Sequence, residues 1–199
     1  MHVRRLRPDE RDRALATIVT AFRGDPQVRW YFPDDDRYEP LARRFFGVLL
    51  DLRLSGGEVW QAQDGGGCAV ALWNPPGGNL IGPEAAAARY QGEVAALEGA
   101  CAARVSAVDQ AVDRLLPHEP HWYLGVLACD PQVRGRGLAS AVLAPVFAAA
   151  DRTRLPVVLE TSTRQNVAFY TRRGFAVAGH AAVDGLQIRV MRREPAAPR

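Results

Sequence analysis

Between Arg134 and Ser140 the chain reads RGRGLAS, and this stretch carries the most legible chemistry in the sequence. An apolar run from Trp122 to Cys129 precedes it and reads as a buried strand. Asp130-Pro131 stops that run, and an alanine-rich helix follows. The first N–H groups of a helix have no internal partner, and the helix dipole concentrates partial positive charge there. Gly135 and Gly137 let the backbone come close to a ligand, and Arg134 and Arg136 add full charges. Strand, glycine-rich turn and helix in this order make an anion site, and a pyrophosphate is a fitting guest. The spacing is not G-x-x-x-x-G-K-[ST], so this is not a nucleotide P-loop. Position 140 holds no third glycine, so G-x-G-x-x-G is absent too. The stretch fits R-x-x-G-x-A, read as Arg134, Gly137 and Ala139.

A second group of candidates lies in LPVVLETSTRQNVAFYTRRGF, residues 155–175. A strand ends in Glu160. After a loop, Asn166 opens a short helix that stops at Gly174-Phe175. Asn166 is a good helix N-cap, and Tyr170 falls one turn later on the same face. Glu160 suits a general base, or a cap or salt-bridge partner for a nearby arginine. Tyr170 suits a proton donor or a core tyrosine. Cys68, Cys101 and Cys129 are too few and too scattered for a disulfide framework or a zinc site. Cys68 and Cys129 sit in apolar runs and read as buried thiols rather than nucleophiles. No metal centre is expected.

Taken together, the arginine-glycine loop, the strand ending in Glu160, N-x-x-F-Y and G-F strongly resemble the GNAT superfamily of N-acetyltransferases. Within it, residues 121–175 look like puromycin N-acetyltransferase-like proteins. The matching features are Trp122-Tyr123-Leu124, Ser140-Ala141-Val142, Pro145 inside a helix, Leu159 to Ser162 as L-E-T-S, and Asn166 to Arg172 as N-x-x-F-Y-x-R. The N-terminal hundred residues match in layout and length only. That half shapes the acceptor pocket in the family, so the likeness does not transfer a substrate. The family's loop also often carries Gln or His where Arg134 stands, a change that should keep phosphate binding.

The resemblance implies acetyl-CoA as acyl donor and the amine of a small molecule as acceptor, attacking directly in a ternary complex. It implies that Leu127, Ala128 and Cys129 contact pantetheine through their backbone. Gly135, Arg136, Gly137, Leu138, Ala139 and Ser140 would wrap the pyrophosphate, with Arg134 beside them. A backbone N–H near Leu127 would polarise the thioester carbonyl. Asn166 would contact the CoA arm, Tyr170 would protonate the departing thiolate, and Glu160 would take the amine proton directly or through water. Such acid–base help is worth about two to four powers of ten. Phe22, Trp30, Tyr31, Phe32 and Trp73 are expected to wall the acceptor site, or simply to pack the N-terminal helices. Asp25 and Asp34 to Asp36 attract a cationic amine or solvate a turn. A protein or peptide acetyltransferase and a non-catalytic acyl-CoA-binding module are the competing readings. GNAT proteins are often dimers, which leaves a homodimer open.

Around these residues the sequence predicts alternating helices and short strands. His2 to Leu6 reads as a strand, and a helix from Pro8-Asp9-Glu10 to Phe22 is ended by Gly24-Asp25-Pro26. Leu41 to Leu52 marks a second helix after an acidic turn. Glu58–Ala62 and Cys68–Trp73 pair around Asp64 to Gly67, and Asn74 to Gly78 breaks the sheet. Residues 84–116 form two helices interrupted near Gly99. Pro145 should kink the helix that follows the loop. Pro156 to Glu160 is a strand, Phe175–Ala182 and Leu186–Arg192 form a hairpin, and the tail from Glu194 frays. The resulting class is α/β (α+β): the GNAT fold, a mixed, mostly antiparallel twisted sheet of about seven strands flanked by helices, with a central splayed parallel pair. One domain over 1–199 is expected, with 1–120 mainly on the acceptor side and 121–175 as the acetyl-CoA core.

Composition narrows the partners. The chain has 199 residues, and all 25 basic residues are arginine. This reads as the mark of a GC-rich genome. A net charge of +3 with no basic stripe disfavours nucleic acid and suits an anionic cosubstrate. With no apolar leader and no run long enough to span a bilayer, the expectation is a soluble cytoplasmic protein without membrane contact.

Overall fold

In the computed structural model, residues 1–77 and 83–197 are described. The chain opens with strand β1 (His2–Arg5) and a 3-10 turn at Pro8–Glu10, then runs through α1 (Arg11–Phe22), α2 (Pro26–Tyr31) and α3 (Asp35–Gly56). Strands β2 (Glu58–Asp64) and β3 (Gly67–Asn74) form a hairpin, followed by α4 (Pro83–Ala95) and α5 (Ala100–Asp113). Then come β4 (Trp122–Cys129), a 3-10 turn at Pro131–Val133, α6 (Leu138–Thr153), β5 (Val157–Thr161), α7 (Arg164–Thr171), β6 (Phe175–Val183) and β7 (Leu186–Arg193). One seven-stranded sheet has the order β1-β2-β3-β4-β5-β7-β6. Only β4 and β5 run parallel; the other neighbouring pairs are antiparallel.

Helices cover both faces. Ile18, Phe32, Tyr38, Phe46 and Leu50 of the first three helical segments pack against Val70, Leu72, Val126 and Val158 on one side. Leu138, Val142, Leu143 and Val146 of α6 pack against Ala71, Trp73, Trp122 and Leu124 on the other. A buried Leu or Phe side chain contributes roughly 1.5–3 kcal/mol, so these two layers hold the sheet between them.

Two local departures from the sequence reading have clear causes. Residues 26–31 form a helix that the sequence reading did not place, because Asp25 caps the first turn and Pro26 sits where a missing N–H costs nothing. The Asp25 carboxylate accepts from Gln27 N at 2.9 Å and Val28 N at 3.1 Å. The acidic run 34–36 is the start of α3: Asp34 accepts from Asp36 N at 2.9 Å, and the next two acids favour the helix dipole. The helix of α6 continues through Pro145 to Thr153. The predicted break between α4 and α5 falls at Gly99, whose φ is +59°. Of the break at 74–78, the last residue lies outside the described residues, as do the final two of the tail.

Two features of the central strands position the site. First, β4 pairs with β5 only at Trp122, Tyr123 and Leu124. From Gly125 onward the strands part, and the β5-facing peptide groups of β4 have no ladder partner there. Second, Leu72 opposes Val126 while Trp73 opposes Leu124, so Gly125 is the extra residue of a β-bulge. The bulge reverses the alternation. Trp122 and Leu124 face the α6 side, whereas Val126 and Ala128 face the opposite core.

Candidate active site

The parted strands open into a cavity of about 480 Å³. Its sheet side is formed by Tyr123 to Leu127 and by Glu160 to Ser162. Helix α7 adds Asn166 and Tyr170, and the N-terminal helices add Phe22, Asp25, Tyr31, Phe45 and Arg53. Tyr90 of α4 and Asp109 of α5 close it from the far side. Two candidate catalytic residues from the sequence, Glu160 and Tyr170, therefore line one cavity.

Glu160 sits where β5 leaves β4. Its Oε2 accepts a 2.5 Å hydrogen bond from the Tyr123 hydroxyl. Burial raises its carboxyl to about 7, with Asp109 adding to the rise, while the Tyr123 hydrogen bond and Arg53 oppose it. A carboxyl titrating near neutrality is suited to exchange a proton with an amine. Tyr123 itself is pushed well up by burial and by Glu160, so it stays a neutral donor. This tyrosine was placed on a strand by the sequence, but its partnership with Glu160 spans 37 positions and leaves no local signal.

Tyr170 is 7% exposed and is held by edge contacts with Phe169 and Phe175, at ring separations of 5.1 and 5.5 Å. Burial raises its phenol, with Glu160 adding to the rise and Arg173 opposing it. It is therefore a protonated hydroxyl at neutral pH. Asn166 is not the cap of α7. Thr163 is: its Oγ1 accepts from Asn166 N at 3.1 Å, which leaves the Asn166 side chain free to line the cavity. Two good capping residues stand three apart, and the loop after Thr161 selects the first.

The glycine-rich loop meets α6 as predicted. Gly135 and Gly137 have φ of +81° and +82°, backbone that residues with a Cβ rarely adopt, and Leu138 begins the helix. Gly135, Arg136 and Gly137 are exposed while Leu138 is buried, so the loop presents backbone outward from an anchored helix start. Arg134 Nη2 donates to the Ala21 carbonyl at 3.3 Å, and Arg136 lies beside the β2–β3 turn at Gly65. Ser140 Oγ accepts from Arg173, whose Nη1 also donates to the Phe169 carbonyl at 2.6 Å. Arg173 thereby ties α7 to the first turn of α6. The sequence reading passed over this residue.

The expected acceptor wall divides. Phe22 and Tyr31 line the cavity, and Gln27 donates to the Tyr31 hydroxyl at 2.9 Å. Trp73 does not line it. It is fully buried on the α6 face, 6.3 Å from the Phe147 ring, because alternation along β3 turns it away. Trp30 does not line it either; it packs on Tyr31 with Arg104 over its ring. Phe32 is a core residue. Of the acids, Asp25 reaches the cavity, whereas Asp34 to Asp36 are exposed at the start of α3. Three further lining residues escaped the sequence reading. The Tyr90 hydroxyl donates to Asp109 at 3.0 Å, and burial raises Asp109 to about 6. Arg53, 6% exposed, lies against Gly125 at the bulge, where any side chain would collide with its guanidinium. Cys68 is buried and Cys129 half-buried, and burial raises the Cys129 thiol.

A mixed sheet with a parted parallel pair, an anion loop at one end and a charged cavity at the other defines an acetyltransferase of the GNAT type. The family model for the acetyltransferase (GNAT) family matches residues 27–175, and the chain belongs to that family. An uncharacterized N-acetyltransferase of Schizosaccharomyces pombe is 24% identical over 190 residues, 88% of this chain and 74% of that one. A Corynebacterium glutamicum structure described as histone acetyltransferase HPA2 and related acetyltransferase superposes with a TM-score of 0.70 at 25% identity, covering 98% and 97% of the two chains. Arylalkylamine N-acetyltransferase 2 of Aedes aegypti shares the fold, with a TM-score of 0.69, 11% identity and coverage of 97% and 98%. Acetyl-CoA is the cosubstrate of this family. Among the described residues, no helix is long and apolar enough to cross a membrane.

Proposed function

We propose that this protein moves an acetyl group from acetyl-CoA to the amine of a small molecule, by direct attack in a ternary complex. The observation that carries this reading is one cavity lined by both Glu160 and Tyr170, opening where β4 and β5 part. The neutral amine attacks the thioester carbon, forming the C–N bond. Its proton passes to Glu160, directly or through water. The C–S bond then breaks, and Tyr170 gives its proton to the leaving thiolate. A backbone N–H near Leu127, on the parted stretch of β4, steadies the carbonyl oxygen. Leu127, Ala128, Cys129 and Asn166 hold the pantetheine arm, and residues 134–140 hold the pyrophosphate.

The aromatic walls at Phe22, Tyr31 and Tyr90 and the closure by α4 and α5 favour a compact acceptor over a polypeptide. A peptide acceptor is the second reading, favoured by the description of the Corynebacterium glutamicum structure as a histone acetyltransferase or relative. The puromycin-like features of 121–175 make puromycin itself a worthwhile probe. The test is CoA thiol release from acetyl-CoA over puromycin, aminoglycosides, polyamines, amino acids and short peptides. Release with a small amine supports the reading. Release with peptides alone replaces it by the second, and acetyl-CoA binding with no release across the panel replaces it by a non-catalytic acyl-CoA module.

A further inference from the structure

The acetyl-transfer reading leaves one buried cation in the cavity without a task. Arg53, near the end of α3, lines the cavity and is 6% exposed. Its Nη1 donates to the Leu49 carbonyl at 3.1 Å, and its buried Nε has no partner. Among the described residues it makes no salt bridge. A guanidinium taken out of water without a carboxylate partner is costly, and an apolar side chain would fill the same wall without that cost. The chain also makes room for it. The bulge places Gly125 beneath the guanidinium, where a Cβ would meet Arg53 Nη2.

The surroundings indicate what would pair with it. Arg53, against Gly125, and Glu160, hydrogen-bonded by Tyr123, line the same cavity, so a positive and a negative group share one wall where β4 and β5 part. An α-amino acid carries its two charges one carbon apart and in the complementary sense. Phe22, Tyr31, Phe45 and Phe46 supply an apolar wall on the same side of the sheet. We propose that Arg53 binds the carboxylate of the acceptor, and that the acceptor is an α-amino acid with a bulky apolar side chain. The amino nitrogen then faces Glu160, and the products are the N-acetyl amino acid and CoA. This rests on the acetyl-transfer reading above, and the test separates the two.

Rates are compared within acid and amine pairs: L-phenylalanine against 2-phenylethylamine, and L-leucine against 3-methylbutylamine. The wild type is expected to prefer the acid in kcat/KM by about 10- to 100-fold, the range for a charge-assisted pair. Arg53→Met should bring the ratio near one, and Arg53→Lys should leave it between. Binding is read separately by calorimetry, with N-acetyl-L-phenylalanine and N-acetyl-2-phenylethylamine titrated in the presence of CoA. Tighter, Arg53-dependent binding of the acid supports the subsite even without turnover, in which case only the transfer reading fails. Equal binding, or amines used as well as acids, overturns the proposal. An Arg53-dependent preference for succinyl-CoA over acetyl-CoA also overturns it, by placing the carboxylate on the acyl group.

Discussion

The two ends of the β4–β5 opening handle charge in opposite ways. At the loop end, the groups proposed to face an anion are backbone N–H donors from Gly135 to Ala139, set by two positive φ angles and a helix start. At the cavity end, charge sits on side chains from distant elements, the buried Arg53 from α3 and the half-buried Asp109 from α5 and Glu160 from β5. The loop end works in water, where each charged contact is worth little. The cavity end holds its charges at least partly out of water, where each misplaced charge matters more. Under the proposed function, holding CoA falls to backbone, and choosing and activating an amine to side chains.

If that division holds, losses at the cavity end should fall on kcat and losses at the loop end on cosubstrate affinity. The largest effect is expected from Tyr170→Phe, which should lower kcat by about two to four powers of ten while acetyl-CoA binding changes little. Steady-state kinetics beside calorimetry checks this, and unchanged turnover removes Tyr170 from the mechanism.

Glu160→Gln should follow, with kcat/KM at pH 8 reduced about 100-fold. In the wild type, a base raised to about 7 must lose its proton to work, so kcat/KM should show a limb through that pH in addition to the rise set by deprotonation of the amine itself. The variant should lack the limb near 7 and keep the one set by the amine. Stability should move the other way. The folded carboxyl binds its proton more tightly than the unfolded one, whose value is near 4.5. Folding stability contributed by this group therefore falls as pH rises from about 4.5 to 7. Denaturant melts should show the variant ahead of wild type by on the order of 2 kcal/mol at pH 8, with the gap closing near pH 4.

At the loop end a smaller effect is expected. Arg134→Ala combined with Arg136→Ala should weaken acetyl-CoA binding about 3- to 10-fold with kcat retained, and the loss should shrink in high salt. Both guanidiniums are exposed and rest on protein neighbours, so the backbone N–H groups carry most of the affinity. A loss of a hundredfold or more would move the weight from backbone to side chains and blur the comparison. The smallest effect on activity belongs to Trp73→Phe. Its indole N–H is buried without a partner, so removing it should cost about 1 kcal/mol of stability from lost packing and leave acceptor KM unchanged. A raised acceptor KM would mean that the two faces of the sheet are coupled.

Legibility followed the range of the interactions. The R-x-x-G-x-A loop, the strand carrying Glu160 and the short helix carrying Tyr170 are local patterns, and each element is present, with the strand reaching Thr161 and the helix starting at Arg164 rather than Asn166. The hairpin of β2 and β3 and the break at Gly99 were legible for the same reason. The start of α3 and the helix at 26–31 were obscured because Asp25 and Asp34 serve as caps, a role that a polar turn residue does not advertise. Trp73 was misplaced because alternation along a fully buried strand gives no sign of which face holds the cavity.

By itself the sequence determined the family, the order of the elements and the place of the glycine-rich loop before a helix, since these depend on contiguous backbone and short spacings. Only the tertiary structure decided the acceptor end. The bulge at Gly125 turns Val126 and Ala128 to the opposite face, and packing carries Arg53, Tyr90 and Asp109 beside Tyr123 and Glu160. Charges brought together across such distances acquire their meaning from shared burial, and burial is a property of the folded chain rather than of any segment of it.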